Sequence, residues 1–228
     1  MRNDVLKRFF LAALLWLPLM FALWFWFAAP LVWPVIQLAK LALLKGWPQL
    51  FTAVSQGADL LDAQGRVLGH PGYLMQLSTS VMVNVSPAGQ APRFGLIEPT
   101  VNPLIYGYAL PLFAGLVMAT PLLPRRRLLQ AAIAVPLIWL AQAFGTVAES
   151  LKAVTIDLGA AGLEAAQRGG LSPDAVALCY QFGYLILPAL VPAVLWIVLN
   201  RPFIETLTRR AAEPARERGV EAHAGNPR

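Results

Sequence analysis

The chain has 228 residues, 57% hydrophobic and only 13% charged, with a mean hydropathy of +0.59 and a net charge of +6. This balance excludes an ordinary soluble domain, and the length fits one bundle with little left for a second unit. The single cysteine, Cys179, excludes an intrachain disulfide, and the excess of Lys and Arg reads as membrane-flanking charge rather than a nucleic-acid footprint.

Four apolar stretches, at 9–29, 104–123, 128–148 and 175–199, are each long enough to cross hydrocarbon as a helix, which takes about 20 residues. They predict an all-α membrane protein: a four-transmembrane-helix bundle with a small extracytoplasmic β-containing insertion between helices 1 and 2. Residues 1–56 hold the first transmembrane helix plus an interfacial amphipathic helix. A periplasmic β-rich layer follows at 57–101. Helices 2–4 occupy 102–200, with a periplasmic helical extension at about 149–170. A cytoplasmic tail fills 201–228.

Arg2, Lys7 and Arg8 before an apolar run imitate a signal peptide. The run is too long for a signal core and Phe27-Ala28-Ala29-Pro30 is a poor cleavage site, so it reads as an uncleaved first span. With the N-terminus in the cytoplasm, that side receives Arg2, Lys7, Arg8, the triplet Arg125-Arg126-Arg127, and Arg201, Arg209, Arg210, Arg216, Arg218 and Arg228. These are 12 of the 18 Lys and Arg. The short, purely basic triplet resists translocation, so the chain is expected to be multi-pass with N- and C-termini cytoplasmic.

Pro30 and Pro34 predict an interruption after the first span. Residues 35–50 then read as amphipathic: Gln37, Lys40 and Lys45 share one arc, and Ile36, Leu38, Leu41, Leu43 and Leu44 cover most of the rest. Such a helix lies in the interface plane, or else prolongs a tilted first span with snorkelling lysines. Asp62-Ala63-Gln64-Gly65 is a turn signal. Residues 74–85 alternate partially through Gln76, Ser78, Ser80, Met82 and Asn84, as a strand does. Gly69, Pro71, Gly72, Pro87, Gly89 and Pro92 punctuate the ends, and two or three strands are expected. A layer of this size makes a marginal core and should lean on the bundle or on a partner. Asn84-Val85-Ser86 matches a glycosylation acceptor, but Pro87 follows it and the match is set aside.

Asn102-Pro103 is a helix-start signature for the second span, with Tyr106 and Tyr108 near the outer interface. Pro111 and Pro121 are candidate kinks, and Pro121 to Pro124 ends the helix. The third span follows the arginine triplet and runs on through Leu151, Val154 and Leu158, with Glu149 and Lys152 spaced to pair, until Gly169-Gly170 breaks it. Ser172-Pro173-Asp174 starts the fourth, whose inner half Pro188 and Pro192 should bend. The charged, alanine-rich tail is expected to fray.

Chemistry is sparse. Cys179, His70 and Arg93 all fall on the predicted outer side, and a thiol, an imidazole and a guanidinium there could serve a cysteine transpeptidase as nucleophile, base and oxyanion stabiliser. The plainer reading makes Cys179 a small packing residue and His70 part of a Gly69-His70-Pro71-Gly72 turn. No metal-ligand spacing or phosphate-cradling loop is seen, and no cofactor is expected. The span interiors carry no ionisable side chain, which argues against coupled transport. Gln130, Gln142 and Gln181 suit helix contacts, and Gln142 and Gln181 fall where they could meet, for about 1 kcal/mol per interhelical bond.

The densest unusual sequence runs from Glu98 to Phe113, where two prolines, an acid, an amide and two tyrosines enter the membrane. If the chain has an interaction surface, its candidates are Arg93, Glu98, Asn102, Tyr106, Tyr108, Gln142, Glu149 and Gln181. The run Asn102-Pro103-Leu104, Tyr106, Tyr108 and Leu110-Pro111-Leu112 resembles the exosortase H-associated membrane proteins, as does the layout of a basic start, one span, a short β-like region and three spans. The resemblance extends over about residues 5–205. It implies a bacterial inner-membrane protein that accompanies a membrane-embedded cysteine transpeptidase processing sorting-tagged envelope proteins. It carries over no catalytic residues. The transpeptidase itself uses a cysteine, an arginine and a histidine in that order, whereas here the order is His70, Arg93, Cys179.

The expected function is that of a non-enzymatic accessory or scaffold of an envelope protein-sorting system. Its partners would be the lipid bilayer and an exosortase-like membrane enzyme or its substrate, with no nucleic acid. The alternatives are a membrane cysteine peptidase or transpeptidase using Cys179, and an assembly subunit for pilus or polysaccharide export.

Overall fold

The computed structural model describes residues 2–206 apart from 63, 85, 87–90 and 92. The expected fraying of the tail therefore lies outside the described residues from 207 onward, as do Val85 and Pro87 of the glycosylation-like run. Four helices among the described residues are long and apolar enough to cross a membrane: Leu6–Trp26, Ala28–Gly46, Pro124–Asp157 and Pro173–Leu199. A shorter apolar helix covers Pro103–Ala119.

The first helix, α1 (Arg2–Trp26), gives way to α2 (Ala28–Gly46) at Phe27, whose ψ of 28° is outside the helical range. The expected break at Pro30 to Pro34 does not occur. Pro30 falls in the first turn of α2, where an N–H has no intrahelical partner to lose. The ladder continues across the joint, with Phe27 N–H donating to Leu23 O at 2.9 Å and Leu31 N–H to Phe27 O at 3.2 Å. Ala28, Val32, Val35, Ile36, Ala39 and Leu43 bury one stripe of α2, while Gln37, Lys40 and Lys45 stay exposed, so its amphipathic pattern holds.

Strand β1 (Phe51–Gln56) follows, then β2 (Leu60–Leu61), β3 (Val67–Gly69), β4 (Met75–Thr79), β5 (Met82–Asn84), β6 (Phe94–Leu96) and β7 (Thr100–Val101). They form one antiparallel sheet in the order β1-β4-β7 and two hairpins, β2-β3 and β5-β6. This is more strand than the sequence pattern predicts. On β4 the alternation is as read: Met75, Leu77 and Thr79 point inward, Gln76 and Ser78 outward. The expected turn links β2 to β3. Gly65 has φ +77°, and Asp62 accepts the Gln64 and Arg66 N–H at 2.9 and 2.8 Å. The Arg66 backbone bond and guanidinium hold the Asp62 carboxyl below its usual range.

A 3-10 turn (Pro103–Tyr106) leads into α3 (Ala109–Ala119), which is too short for the expected span to 123 because the chain extends at Thr120 before Pro121. After α4 (Pro124–Lys152) a π-turn (Ala153–Asp157) and Gly159, at φ +65°, bend the chain into α5 (Gly159–Arg168). Gly170, at φ +76°, ends that helix as expected. Ser172 caps α6 (Pro173–Gln181) by accepting the Ala175 N–H at 3.4 Å. A second π-turn (Phe182–Ile186) precedes α7 (Leu187–Leu199). Pro188 explains that turn: it has no N–H for the Tyr184 carbonyl, and the ladder widens one turn ahead of it.

Two cores result. One joins α2, the main sheet and the α4 and α6 ends through Val32, Ile36, Leu43, Phe51, Met75, Leu77, Val101, Leu151, Val154 and Val176, so the β layer does lean on the helices. The other joins α3, α4 and α7 through Phe113, Val117, Ala134, Ile138, Leu195 and Trp196. Phe9 of α1 stacks on Trp196 at 5.7 Å and lies 5.6 Å from Phe203, while Trp196 Nε1 donates to Thr120 Oγ1 at 3.0 Å. The start of α1, the end of α3, the start of α4 and the end of α7 therefore meet at one end, the arginine end; the sheet packs on the far end of α4. Gln130 and Asn200, 7% and 2% exposed, exchange amide hydrogen bonds there at 2.9 and 3.3 Å. A Gln130→Leu and Asn200→Leu double-mutant cycle, read by reversible unfolding in mixed micelles, should give a coupling of about 1 kcal/mol. Strict additivity would mean the pair contributes nothing.

Candidate functional site

The sheet end holds the candidate site, and the 3-10 turn positions it. Asn102 Oδ1 accepts the Leu104 N–H at 3.1 Å, fixing the turn that carries Tyr106. Gln142 of α4 donates through Nε2 to the Pro103 carbonyl at 3.2 Å and anchors the turn from below. Thr146 and Ser150 continue that face of α4, each donating to the carbonyl four residues back, at 2.9 and 2.8 Å.

Tyr106 is 1% exposed, and its ring lies directly on Gly145. Any Cβ at 145 would overlap the ring. Gly183, in the second π-turn, faces the same glycine: a Cβ there would stand 2.8 Å from the Gly145 Cα. Two glycines on neighbouring helices thus let the backbones approach closely and open the slot that Tyr106 fills.

The Tyr106 hydroxyl adjoins the half-buried Glu149 carboxylate, yet neither that hydroxyl nor Glu149 Oε2 has a partner at bonding geometry. Tyr184 meets Tyr106 edge-to-face at 6.2 Å and stacks on Tyr180 at 5.8 Å. Lys152 Nζ lies 5.2 Å from the Tyr180 ring centroid. Its expected pairing with Glu149 is replaced by Asp157, at 3.0 and 2.8 Å, because the first π-turn swings Asp157 back over it. The two π-turns flank one cluster of acid, tyrosines and lysine; such turns recur at functional sites.

Asn102, Tyr106, Gln142 and Glu149 are thus brought together, but Tyr106 and Gln142, the latter 4% exposed, are enclosed and shape the junction from beneath. Gln181 is exposed and makes no bond to Gln142, whose amide is used by Pro103. Tyr108 is half-buried at the start of α3. Glu98 lies on the outer face of the sheet, accepting from Gln76 Nε2 at 2.7 Å and Ser78 Oγ at 3.0 Å. Arg93 is exposed beside the β5-β6 hairpin, its N–H bonded to Ser86 Oγ at 2.5 Å.

The nucleophile candidates are apart. His70 Nδ1 pairs with Asp59 Oδ1 at 2.9 Å, and Cys179 lines an apolar groove of about 410 Å³ with Trp47, Phe144 and Leu151. Among the described residues no hydrogen bond or ion pair joins Cys179, His70 and Arg93.

Sequence reasoning missed Tyr180, Tyr184, Asp157, Gly145 and Gly183. The glycines alone left a signal, as small residues inside apolar helices. Gly145→Ala should lower stability by about 1–3 kcal/mol through overpacking against Tyr106. Tyr106→Leu in the same chain should restore part of that loss in thermal unfolding, whereas additive losses would place the clash elsewhere.

The exosortase H-associated membrane protein family matches residues 3–203, nearly all of the described chain. Comparison with curated proteins and with solved structures gives no match. The junction residues on which the resemblance rests lie inside the matched segment, and the chain belongs to the exosortase H-associated membrane protein family.

Proposed function

We propose that this protein is a non-enzymatic accessory of an exosortase protein-sorting system, a scaffold that holds the membrane enzyme or its substrate against its sheet end. The family match carries this reading. The bundle sits in the bacterial inner membrane with both termini and the arginine end in the cytoplasm, and the β layer and α5 lie in the periplasm between helices 1 and 2 and beyond the third span. The Arg125–Arg127 triplet supports this orientation, because a short basic turn resists translocation. The shared end of α1, α3, α4 and α7 supports it too: with α2 packed on the sheet and left out of the crossings, α1, the shorter Pro103–Ala119 helix, α4 and the α6–α7 helix return the chain to its starting side.

The buried members of the junction hold it rigid, while exposed Glu98, Arg93, Gln181 and the half-open faces of Tyr180 and Tyr184 offer it to a partner. A non-catalytic role is supported by the separate surroundings of Cys179 and His70, which lack the mutual geometry a thiolate–base pair needs.

A tagged chain solubilised in mild detergent should retain a membrane peptidase, and Glu98→Lys should reduce the amount recovered. Cys179→Ala should leave both the recovery and the sorting of tagged envelope proteins unchanged. Loss of sorting on Cys179→Ala with the protein still folded would overturn the accessory reading in favour of an enzyme.

A further inference from the structure

At the arginine end, the first turns of α4 and the end of α7 diverge around a recess of about 600 Å³. The Gln130–Asn200 pair forms its floor. These amides are saturated, since Gln130 also donates to Leu199 O at 3.2 Å and Asn200 to Trp196 O at 2.9 Å, so the floor is closed and neutral. The walls are apolar: Leu129 and Ile133 from α4, Leu199 and Phe203 from α7 and beyond. Arg126 stands on the lining.

Two of its basic neighbours are engaged, and the third, exposed Arg125, is not on the lining. Arg127 donates to the Met118 and Thr120 carbonyls at 3.4 and 3.2 Å, and Arg201 pairs with Glu205 at 3.0 Å. Among the described residues Arg126 makes no ion pair and no side-chain hydrogen bond, and it is exposed. Lys7 and Arg8, brought to this end by Phe9 stacking on Trp196, add to the positive field, and Glu205 is taken up by Arg201. A single guanidinium on the lining between apolar walls suits an amphiphilic anion: the fork donates bidentately to a phosphate, and the walls remove an acyl chain from water. A soluble phosphate would use only the rim, and a cation would be repelled.

We propose that this recess is a binding site for one anionic phospholipid, its phosphate held by Arg126 and an acyl chain laid along Leu129, Ile133 and Leu199. Basic recesses between helices at the cytoplasmic face of membrane proteins hold anionic headgroups in this manner. The site stands at the opposite end of the molecule from the junction proposed to meet the sorting enzyme, and the lipid binds whether or not that reading holds.

The test uses the full chain purified in a non-ionic detergent and titrated with phosphatidylglycerol or with phosphatidylcholine of the same acyl composition. Native mass spectrometry should show one retained phosphatidylglycerol per chain, bound at least about fivefold more tightly than phosphatidylcholine, the discrimination expected of one basic residue. Thermal unfolding should shift upward only with phosphatidylglycerol. Arg126→Gln should reduce phosphatidylglycerol to the level of phosphatidylcholine, and Arg126→Lys should keep most of the preference. Ile133→Trp, which fills the apolar wall but leaves the charge, should weaken both lipids. Equal retention of the two lipids, an unchanged preference in Arg126→Gln, or equal protection by inorganic phosphate alone would each overturn the proposal.

Discussion

Hydrocarbon offers no hydrogen-bond partners, and the whole arrangement follows from that constraint. A chain that crosses lipid must satisfy its backbone within each helix and push its polar side chains toward the ends or into helix contacts. Here the middle of the bundle packs on Phe113, Val117, Ala134 and Ile138, and polar groups collect at two places. Gln130 and Asn200 saturate one another at the arginine end. Gln142, Thr146 and Ser150 bond to carbonyls on the way to the sheet end.

The exceptions to that economy mark where the molecule differs from a plain bundle. At the sheet end the Tyr106 hydroxyl and Glu149 Oε2 face one another without a formed bond, between two π-turns and beside a tyrosine stack. Two widened turns and two opposed glycines are needed to seat one enclosed ring, a costly construction for packing alone. At the arginine end Arg126 has no ion pair among the described residues and stands on the lining of an apolar recess. The exceptions thus stand at the two ends of the molecule, away from the apolar middle of the bundle.

The apolar periodicity made the long helices legible, because Leu6–Trp26, Pro124–Asp157 and Pro173–Leu199 are continuous in composition. Helix starts were legible wherever an Asn or Ser preceded a proline, as at Asn102 and Ser172. Prolines misled where their position in the turn decides their effect. Pro30 is harmless in a first turn, and Pro188 acts one turn upstream by widening the ladder at Phe182–Ile186. Strand β1 escaped although Gly46, Pro48 and Gly57 bound it, because the amphipathic pattern read over 35–50 covers that boundary. At the site, Asn102, Tyr106, Gln142 and Glu149 were visible as unusual residues near one interface. Tyr180, Tyr184 and Asp157 were not, since π-turns shift side chains off the 3.6-residue pattern by which faces are read.

Under the accessory role proposed above, the orientation of the bundle decides which end would meet the sorting machinery, so it bears most of the weight. A cysteine-free Cys179→Ala chain carrying either Gln64→Cys, in the β2-β3 turn, or Leu123→Cys, in the exposed link before the arginine triplet, can be labelled in spheroplasts with a membrane-impermeant maleimide. The account predicts labelling of residue 64 from outside and of residue 123 only after the membrane is opened. Labelling of residue 123 in sealed spheroplasts would invert the molecule and contradict the account.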